Sequence, residues 1–382
     1  MTLRPLLRFV WYSLPPVLRA CLSVELFRLL LHRNKSGNAQ AAGPTYVVGF
    51  FTAPTGLGQS ARLYFQELRQ HGRVVHAVDV TRLLPLASVQ GLLPEGALPL
   101  LALNRYAGPG VVVIHANPPV FMFVLWAVRK FLPGKRVVAY WAWELEDIPA
   151  FWTRCLDWLD EVQVPSNFVA NAVRKYTTKS VFVHPHAVLA VLRGRSSKEQ
   201  PFTVLYCFDC CSNFARKNPL AVIAAFKEAF GDSPDAHLVL KASNIEVNQD
   251  AWRQLQAAAD APNIRFCLGR LNEQGMADLY AGADVYISLH RSEGYGLTIQ
   301  EAMLHGLPVI ATGWSGNMDF MSYCHSRESG NPENISPCRA VPYTLVPVND
   351  PQATYTMPGV RWAEPDVGAV AGILREIRKA LK

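Results

Sequence analysis

The densest run of side chains able to do chemistry is Glu293-Gly-Tyr-Gly-Leu-Thr-Ile-Gln-Glu301. It stands between an apolar strand-like run and a helix-like one, where open α/β sheets bind ligands. The amides from Gly294 to Leu297 would open that helix unpaired and can receive phosphate oxygens. The two glutamates lie eight positions apart, so one carboxylate falls in the loop and the other a turn into the helix. Carboxylates accept hydrogen bonds from hydroxyls, which suits a polyol held beside phosphates. Cys207, Cys210 and Cys211 invite a zinc reading, but no second Cys-x-x-Cys or His-x-x-x-His pair appears at the required spacing, so packing at a strand end is expected. No Gly-x4-Gly-Lys-Ser/Thr run and no Gly-x-Ser-x-Gly elbow occurs, which removes the usual support for an NTPase or a serine hydrolase.

The elements that must position these residues can be read from hydrophobic periodicity. A β-rich run over Thr45 to Phe51 leads into a glycine loop, then an apolar-periodic stretch capped by Ser60 and ending at Gly72, then the apolar run Val74 to Val80. Further apolar runs at Val111 to His115 and Val137 to Trp141 alternate with helical stretches, the last reaching Tyr176. A polar, aperiodic stretch between His184 and Pro201 marks a domain boundary. The rhythm then restarts, with strands at Phe202 to Phe208, His237 to Ala242, Ile264 to Leu268, Asp284 to Leu289 and Pro308 to Ala311. Helices opened at Asn218-Pro219, Gln249, Asn272 and Leu297 lie between them. Such alternation predicts an α/β chain of two Rossmann-like domains, over 43–195 and 196–365, each a parallel sheet between helices. Residues 323–340 break the pattern with the polar run from His325 to Pro332 and read as a surface insertion. Cys324 and Cys338 flank it and could bridge, although the chain's sparse cysteines read as a reducing, cytosolic set. Residues 366–382 read as a basic helix with Val370, Ile373, Leu374 and Ile377 on one side.

The chain has 382 residues, half of them hydrophobic and 18% charged, so it can bury more than one core and is no polar disordered chain. Its net charge is +7, of which residues 1–35 supply +5, leaving the body near neutral. A nucleic-acid partner is therefore not expected. In the terminal arm, over 1–42 with its linker, basic residues alternate with Leu, Phe, Val and Trp, and Pro15, Pro16 and charges interrupt any membrane-spanning run. Glu25, Arg28, His32 and Lys35 fall on one stripe of a helix over Val17 to Lys35. That helix would either lie on an anionic membrane surface, as an arm separable from the body, or pack on the protein itself.

The run from Glu293 to Glu301 resembles the acidic-x7-acidic pattern of the retaining GT-B glycosyltransferases, family 4. Val162-x-Val-Pro-Ser166, Arg216-Lys-Asn-Pro219, Ala283-Asp-Val-x-Ile-Ser288 and Gly306-Leu-Pro-Val-Ile-Ala311 are similar to that family in the same order, over about residues 45 to 320. The resemblance implies a GT-B fold, two Rossmann-like domains facing a central cleft, the N-terminal one on the acceptor side and the C-terminal one on the nucleotide-sugar side, with a terminal helix that packs back across to the first domain. It implies transfer of a hexose from a nucleoside-diphosphate sugar to a hydroxyl of a glycan or lipid-linked acceptor, without metal or other cofactor.

By the same resemblance Glu293 would hold donor-sugar hydroxyls, Glu301 the ribose, and Gly294, Tyr295, Gly296 and Leu297 the diphosphate or sugar. Lys217 would neutralise the leaving diphosphate, a fixed cation in place of a metal. The family's arginine five positions before that lysine is Ser212 here, so Arg216 either substitutes for it or faces solvent. The loop with Gly56, Gly58 and Gln59 resembles the family's N-terminal glycine loop, although both glycines would also serve a plain tight turn. His115 matches a histidine near the donor sugar. Trp141 and Trp143 would stack on acceptor sugar faces or be ordinary core, with Glu144 a further acceptor contact. Taken with the basic terminal arm, the expected setting is bacterial envelope or exopolysaccharide synthesis in the cytoplasm, on the inner face of the membrane. A GT-B-like protein that binds nucleotide or glycan without turnover is the alternative.

Overall fold

The computed structural model describes residues 14–31, 43–188, 201–326 and 338–381. The chain divides into two compact units, Met1–Ala187 and Val188–Lys382. The polar linker around 193–198, the centre of the expected insertion, the arm before residue 14, and His32 and Lys35 of the expected charged stripe lie outside the described residues.

The first unit is built on six parallel strands: β1 (Thr45–Gly49), β2 (Val75–Asp79), β3 (Gly110–His115), β4 (Lys135–Tyr140), β5 (Glu161–Val164) and β6 (Val181–Val183). Their spatial order is β2-β1-β3-β4-β5-β6. Val48 of β1 stands between Val78 of β2 and Ile114 of β3, and all three are buried. Near-continuous Val and Ile runs of this kind belong to sheets covered on both faces. β5 and β6 go beyond the expected strands, because Glu161 and Gln163 interrupt one run and the other is three residues long. The order reverses between β1 and β3, so the loops leaving their carboxyl ends form a topological switch point.

The first unit's helices are α1 (Pro16–Leu30), α2 (Gly56–Gln70), α3 (Val120–Val128), α4 (Ala150–Thr153) and α5 (Asn167–Arg174). The cap of α2 is Thr55, whose hydroxyl accepts from the Gly58 amide at 3.2 Å, so the helix starts at the glycine loop. Ser60, the expected cap, lies a turn inside it and is buried. The arm helix is likewise shorter than expected and ends at Leu30. It is no separable arm: Val24 and Leu31 are buried, and the Phe27 ring lies 5.5 Å from Phe123 and 5.9 Å from Trp126 of α3.

The second unit repeats the plan with β7 (Phe202–Asp209), β8 (Ala236–Ser243), β9 (Ile264–Leu268), β10 (Val285–Ser288), β11 (Val309–Thr312) and β12 (Cys338–Val341), in the order β12-β11-β10-β7-β8-β9. All six are parallel, and the order reverses between β7 and β10. Its first helices are α6 (Phe214–Lys217), α7 (Pro219–Phe230), α8 (Gln249–Ala258) and α9 (Glu273–Ala281). They are followed by α10 (Leu297–Leu304), α11 (Met318–Ser326) and α12 (Val367–Ala380). The expected insertion is narrower than 323–340, since α11 covers its start and β12, an edge strand of the sheet, its end. Cys338 is buried on β12, and the side chain of Cys324 lies outside the described residues. An antiparallel hairpin, β13 (Tyr343–Pro347) with β14 (Arg361–Pro365), precedes α12. The terminal helix packs within the second unit, where Val370, Ala371 and Leu374 are buried against α7 and β12.

Candidate functional site

In the second unit the two loops that leave β7 and β10 at the switch point carry Arg216 and Lys217 on one and Arg291 and Glu293 on the other. The loop after β7 runs into the four-residue helix α6, which Asn213 opens by accepting from the Arg216 amide at 3.0 Å. Asn218 closes it in the left-handed region at φ 53°, because Pro219 begins α7 immediately afterwards. Arg216 and Lys217 fall in its last turn, the end where cations suit the helix dipole. The Tyr206 hydroxyl donates to the Lys217 carbonyl at 2.5 Å, and the Arg291 guanidinium to that of Ala215 at 2.6 Å, so the turn's own carbonyls are taken up.

The loop after β10 places Glu293 against both cations. Its carboxylate accepts from Lys217 Nζ at 2.5 Å and lies 3.2 Å from Arg216 Nη1. Arg216 does not face solvent: it is buried, and its guanidinium also donates to the Ser292 carbonyl and to Ser212 Oγ. Ser212, where an arginine was expected from the resemblance, is thus the partner of the arginine that is present. Burial works to raise the Glu293 carboxyl, but Lys217 and Arg216 beside it hold it down at about 2, so it is ionised at neutral pH. Buried His290, pushed down to about 4 chiefly by burial, is a neutral imidazole between Ser288 Oγ at 3.0 Å and Asn317 Oδ1 at 3.1 Å.

The backbone at Glu293 is shaped by a turn that sequence reasoning missed. Ser315 Oγ accepts from the Glu293 amide at 2.8 Å, and the Gly316 amide donates to the Glu293 carbonyl at 2.8 Å. A side chain at Gly316 would put its Cβ 2.2 Å from the Gly294 carbonyl oxygen. The available signal was the small and polar run Gly313-Trp-Ser-Gly316-Asn317 directly after a buried strand. Beyond Glu293, Gly294 and Tyr295 are buried, Gly296 stands at the cap of α10 with φ 99°, and Leu297 is its first residue. Glu301 lies a turn inside α10 and accepts from the Tyr280 hydroxyl at 2.9 Å. Burial pushes its carboxyl up to about 7.

In the first unit the structure brings the glycine loop and His115 together at that sheet's own switch point. His115 closes β3, and its Nδ1 is 3.0 Å from Ser60 Oγ of α2. Burial, with His186 and His184 nearby, pushes its pKa well down, so the ring is neutral. It stacks on Tyr140 at 4.3 Å, and Nε2 has no hydrogen-bond partner among the described residues. Gln59 accepts from Arg62, which also donates to the Phe51 and Ala53 carbonyls and so ties the glycine loop to α2. Gly58 has no room for a side chain, whereas Gly56 faces open space.

The aromatic pair after β4 is core. Trp141 is fully buried, 5.2 Å from Trp152, and Trp143 is buried, 4.9 Å from the same ring, with its Nε1 donating to the Asp147 carbonyl. Neither ring offers an open face for stacking on a sugar. Glu144 is half-buried in the same loop. Cys207 and Cys210 are buried at the end of β7, Cys211 is exposed, and burial pushes all three thiols up. Among the described residues no three His, Cys, Asp or Glu side chains are grouped to hold a metal ion.

Residues 207–336 match the family model described as glycosyl transferases group 1. No curated protein matches the chain significantly. Among solved structures, sucrose-phosphate synthase from Thermosynechococcus elongatus aligns with TM-score 0.56 at 17% identity, over 88% of this chain and 90% of that one. HepE of Anabaena, in complex with UDP and glucose, aligns with TM-score 0.56 at 15% identity, over the same shares. The lipopolysaccharide outer core galactosyltransferase WaaB aligns with TM-score 0.53 at 11% identity, over 88% and 90%. The chain spans about half, 53%, of the pneumococcal O-GlcNAc transferase GtfA chain that it also matches. At identities of 11–17% the likeness to the first three shows the fold alone.

Proposed function

From a GT-B fold whose second unit carries the glycosyl transferases group 1 match, we infer a retaining glycosyltransferase that moves a hexose from a nucleoside-diphosphate sugar to a hydroxyl of a glycan or lipid-linked acceptor. The observation that carries the reading is the ion pair of Glu293 with Lys217 and Arg216 at the second sheet's switch point. Breaking the bond between the sugar's anomeric carbon and the diphosphate needs negative charge stabilised on the departing oxygen. Lys217, Arg216 and the amides opening α10 are the groups suited to it. Glu293, ionised and held by the same cations, is the acceptor for donor-sugar hydroxyls, and Glu301 for those of the ribose.

No step requires a covalent nucleophile or a metal. In a front-face route the departing phosphate oxygen takes the proton of the acceptor hydroxyl while that hydroxyl's oxygen bonds to the anomeric carbon. The neutral His115 ring, with Nε2 unengaged, is the first unit's group for a sugar hydroxyl. The setting that fits this chemistry is assembly of a bacterial envelope or extracellular polysaccharide from cytoplasmic sugar nucleotides.

The test is thermal stabilisation by a panel of nucleoside diphosphates beginning with UDP, followed by a product assay with the matching sugar nucleotides. A ligand at a hundred times its Kd adds about 2.7 kcal/mol of stability, which a melting curve resolves. One diphosphate should raise the Tm of the wild type and fail to raise that of Lys217→Ala. No response to any of them, or an equal response in the variant, refutes the reading. Binding without product would make the chain a non-catalytic nucleotide binder.

A further inference from the structure

The Glu301 carboxylate rests on a phenol that the proposed chemistry leaves unused. Glu301 lies on α10, and its Oε2 accepts from the Tyr280 hydroxyl of α9 at 2.9 Å. Among the described residues no other side chain donates to that carboxylate, so Oε1 and one lone pair of Oε2 are left for a ligand. The Tyr280 side chain itself is held in place. It is buried, its ring stacks on that of His305 at 4.7 Å and 20°, and the Tyr286 ring packs 6.1 Å away. Tyr286 is tied in turn, its hydroxyl donating to Thr298 Oγ1 of α10 at 2.8 Å. A glutamate side chain left to itself samples several rotamers, whereas this one has an oxygen pinned at its far end. Burial works to raise the Glu301 carboxyl, and the Tyr280 hydroxyl works against it by bonding to the ionised form.

We propose that Tyr280 is a positioning residue, which holds the Glu301 carboxylate so that its remaining acceptor sites meet the two adjacent hydroxyls of a ribonucleoside. The contact thereby sets a preference for ribonucleotides over 2′-deoxyribonucleotides. This deepens the transferase reading and rests on it, through the place of Glu301 at the ribose. Two hydroxyls on neighbouring carbons need two acceptor sites at a fixed spacing, which a carboxylate supplies best when it does not rotate. Ordering the side chain before the ligand arrives removes that cost from binding, and the ligand that uses both sites gains most. The other titratable groups that face the pair are Cys207 on β7, Tyr286 on β10 and His305 after α10. Behind Cys207, Lys241 on β8 donates to the Gly269 carbonyl at 2.6 Å. Burial raises the thiol and the phenol and lowers the imidazole from its ordinary 6.5, so none of those three changes charge between about pH 7 and 9.

The experiment compares the wild type with Tyr280→Phe, which keeps the ring and its stacking and removes the hydroxyl alone. Calorimetric titration measures UDP, ADP and GDP, each against its 2′-deoxy analogue, from pH 6 to 9. For the nucleotide that binds, the wild type should prefer the ribo form by about tenfold at pH 8, the worth of one hydrogen bond to a charged group. In Tyr280→Phe that preference should fall to about threefold or less, and the pH at which affinity is half developed should rise by about one unit. Urea midpoints without ligand, each read against the matching Glu301→Gln protein, should show the loss of stability through pH 7 moved up by the same amount. Lost packing alone would lower the Tm and move neither the preference nor the pH midpoint. An unchanged preference or an unshifted midpoint in Tyr280→Phe overturns the proposal. Should Tyr280→Phe fail to fold, His305→Ala takes its place: it keeps the hydroxyl, frees the ring that carries it and should lower the preference by about twofold. An unchanged preference there overturns the proposal equally. If no nucleotide binds the wild type, the transferase reading fails and the proposal falls with it, a result distinct from binding that ignores Tyr280.

Discussion

Lys217 and Glu293 stand 76 residues apart in sequence and meet with Nζ 2.5 Å from Oε1, each delivered by a strand that borders the second sheet's switch point. On the proposed reading, the pair sets a cation for a diphosphate and a carboxylate for a sugar within one hydrogen bond of each other. It also means that neither charge can be removed without exposing the other. Glu293→Gln leaves Lys217 and Arg216 without their shared counterion, at a cost of about 3 kcal/mol in folding stability. The same variant should bind a free nucleoside diphosphate at least as tightly as the wild type, since both cations are released to it. Turnover should fall about a hundredfold or more, because an interaction with the reacting sugar is lost. Calorimetric titration with the diphosphate and initial rates with the sugar nucleotide check the two halves. Weakened diphosphate binding with unchanged turnover would reverse the assignment.

The two glutamates of the run respond to pH with opposite signs. Glu293 is depressed to about 2, so its contribution to stability is complete above the ordinary carboxylate range and is lost as pH falls toward 2. Glu301 is raised from 4.5 to about 7, so its contribution is complete below pH 4.5 and is lost as pH rises through 7. A shift of that size bounds the effect at about 3 kcal/mol, and partial exposure of the residue brings the realised figure lower. Glu301→Gln should therefore show a flatter stability curve than the wild type between pH 4.5 and 7 in urea titrations. Ribose hydroxyls would donate to the ionised carboxylate, so wild-type affinity for the nucleotide should increase from pH 6 to 8 while that of Glu301→Gln stays level. Parallel curves for the two proteins would take Glu301 out of the site.

Most of the sheet-forming runs, and the loop from Glu293 to Leu297, were legible in the sequence because strand burial and helix opening are local properties of a few neighbouring residues. The exceptions share a cause. Trp141 and Trp143 read equally as sugar platforms or core, since a sequence shows that a ring is large but not that Trp152 covers it. Ser60 was expected to cap a helix, whereas Thr55 does so and Ser60 is free to turn inward to His115 across 55 residues. The turn at Ser315 and Gly316, the Tyr280 partner of Glu301 and the hairpin from Tyr343 to Pro365 escaped notice because their roles lie in contacts remote along the chain.

The two glycines of the first unit's loop separate a structural requirement from a functional one. A Cβ on Gly58 would stand 2.3 Å from the Ala53 carbonyl oxygen and 2.6 Å from that of Phe50, both backbone atoms that cannot swing away. Gly58→Ala should cost about 1–3 kcal/mol of stability, read as a lowered urea midpoint. At Gly56 nothing lies within 4 Å of an added Cβ, so Gly56→Ala should fold with unchanged stability. Any rise in KM for Gly56→Ala then reports a ligand that approaches this loop. Unchanged kinetics together with unchanged stability would reduce the loop to a tight turn.

Asp350, in the loop between β13 and β14, governs the turn that carries Arg216 and Lys217. Its carboxylate accepts from Asn213 Nδ2 at 2.7 Å and from the amides of Gln352, Thr354 and Tyr355, and the Gln352 side chain accepts from the Phe214 amide at 2.5 Å. Asn213, held in this way at an unfavourable φ of 33°, is the residue that caps α6. The other end of the hairpin is bolted to the second loop, with Glu364 taking a bidentate pair from Arg291 and the Ala363 amide donating to the Arg291 carbonyl. Asp350→Ala should lower stability by about 2 kcal/mol through the donors it strands. More tellingly, it should raise KM for the sugar nucleotide by about tenfold, since a 1.4 kcal/mol loss of cation placement is a factor of ten. Asp350→Asn keeps one acceptor oxygen for the loop amides and should recover part of both. Kinetics measured well below the melting temperature discriminate: if Asp350→Ala loses stability yet keeps KM and kcat, the hairpin supports the fold without positioning Lys217.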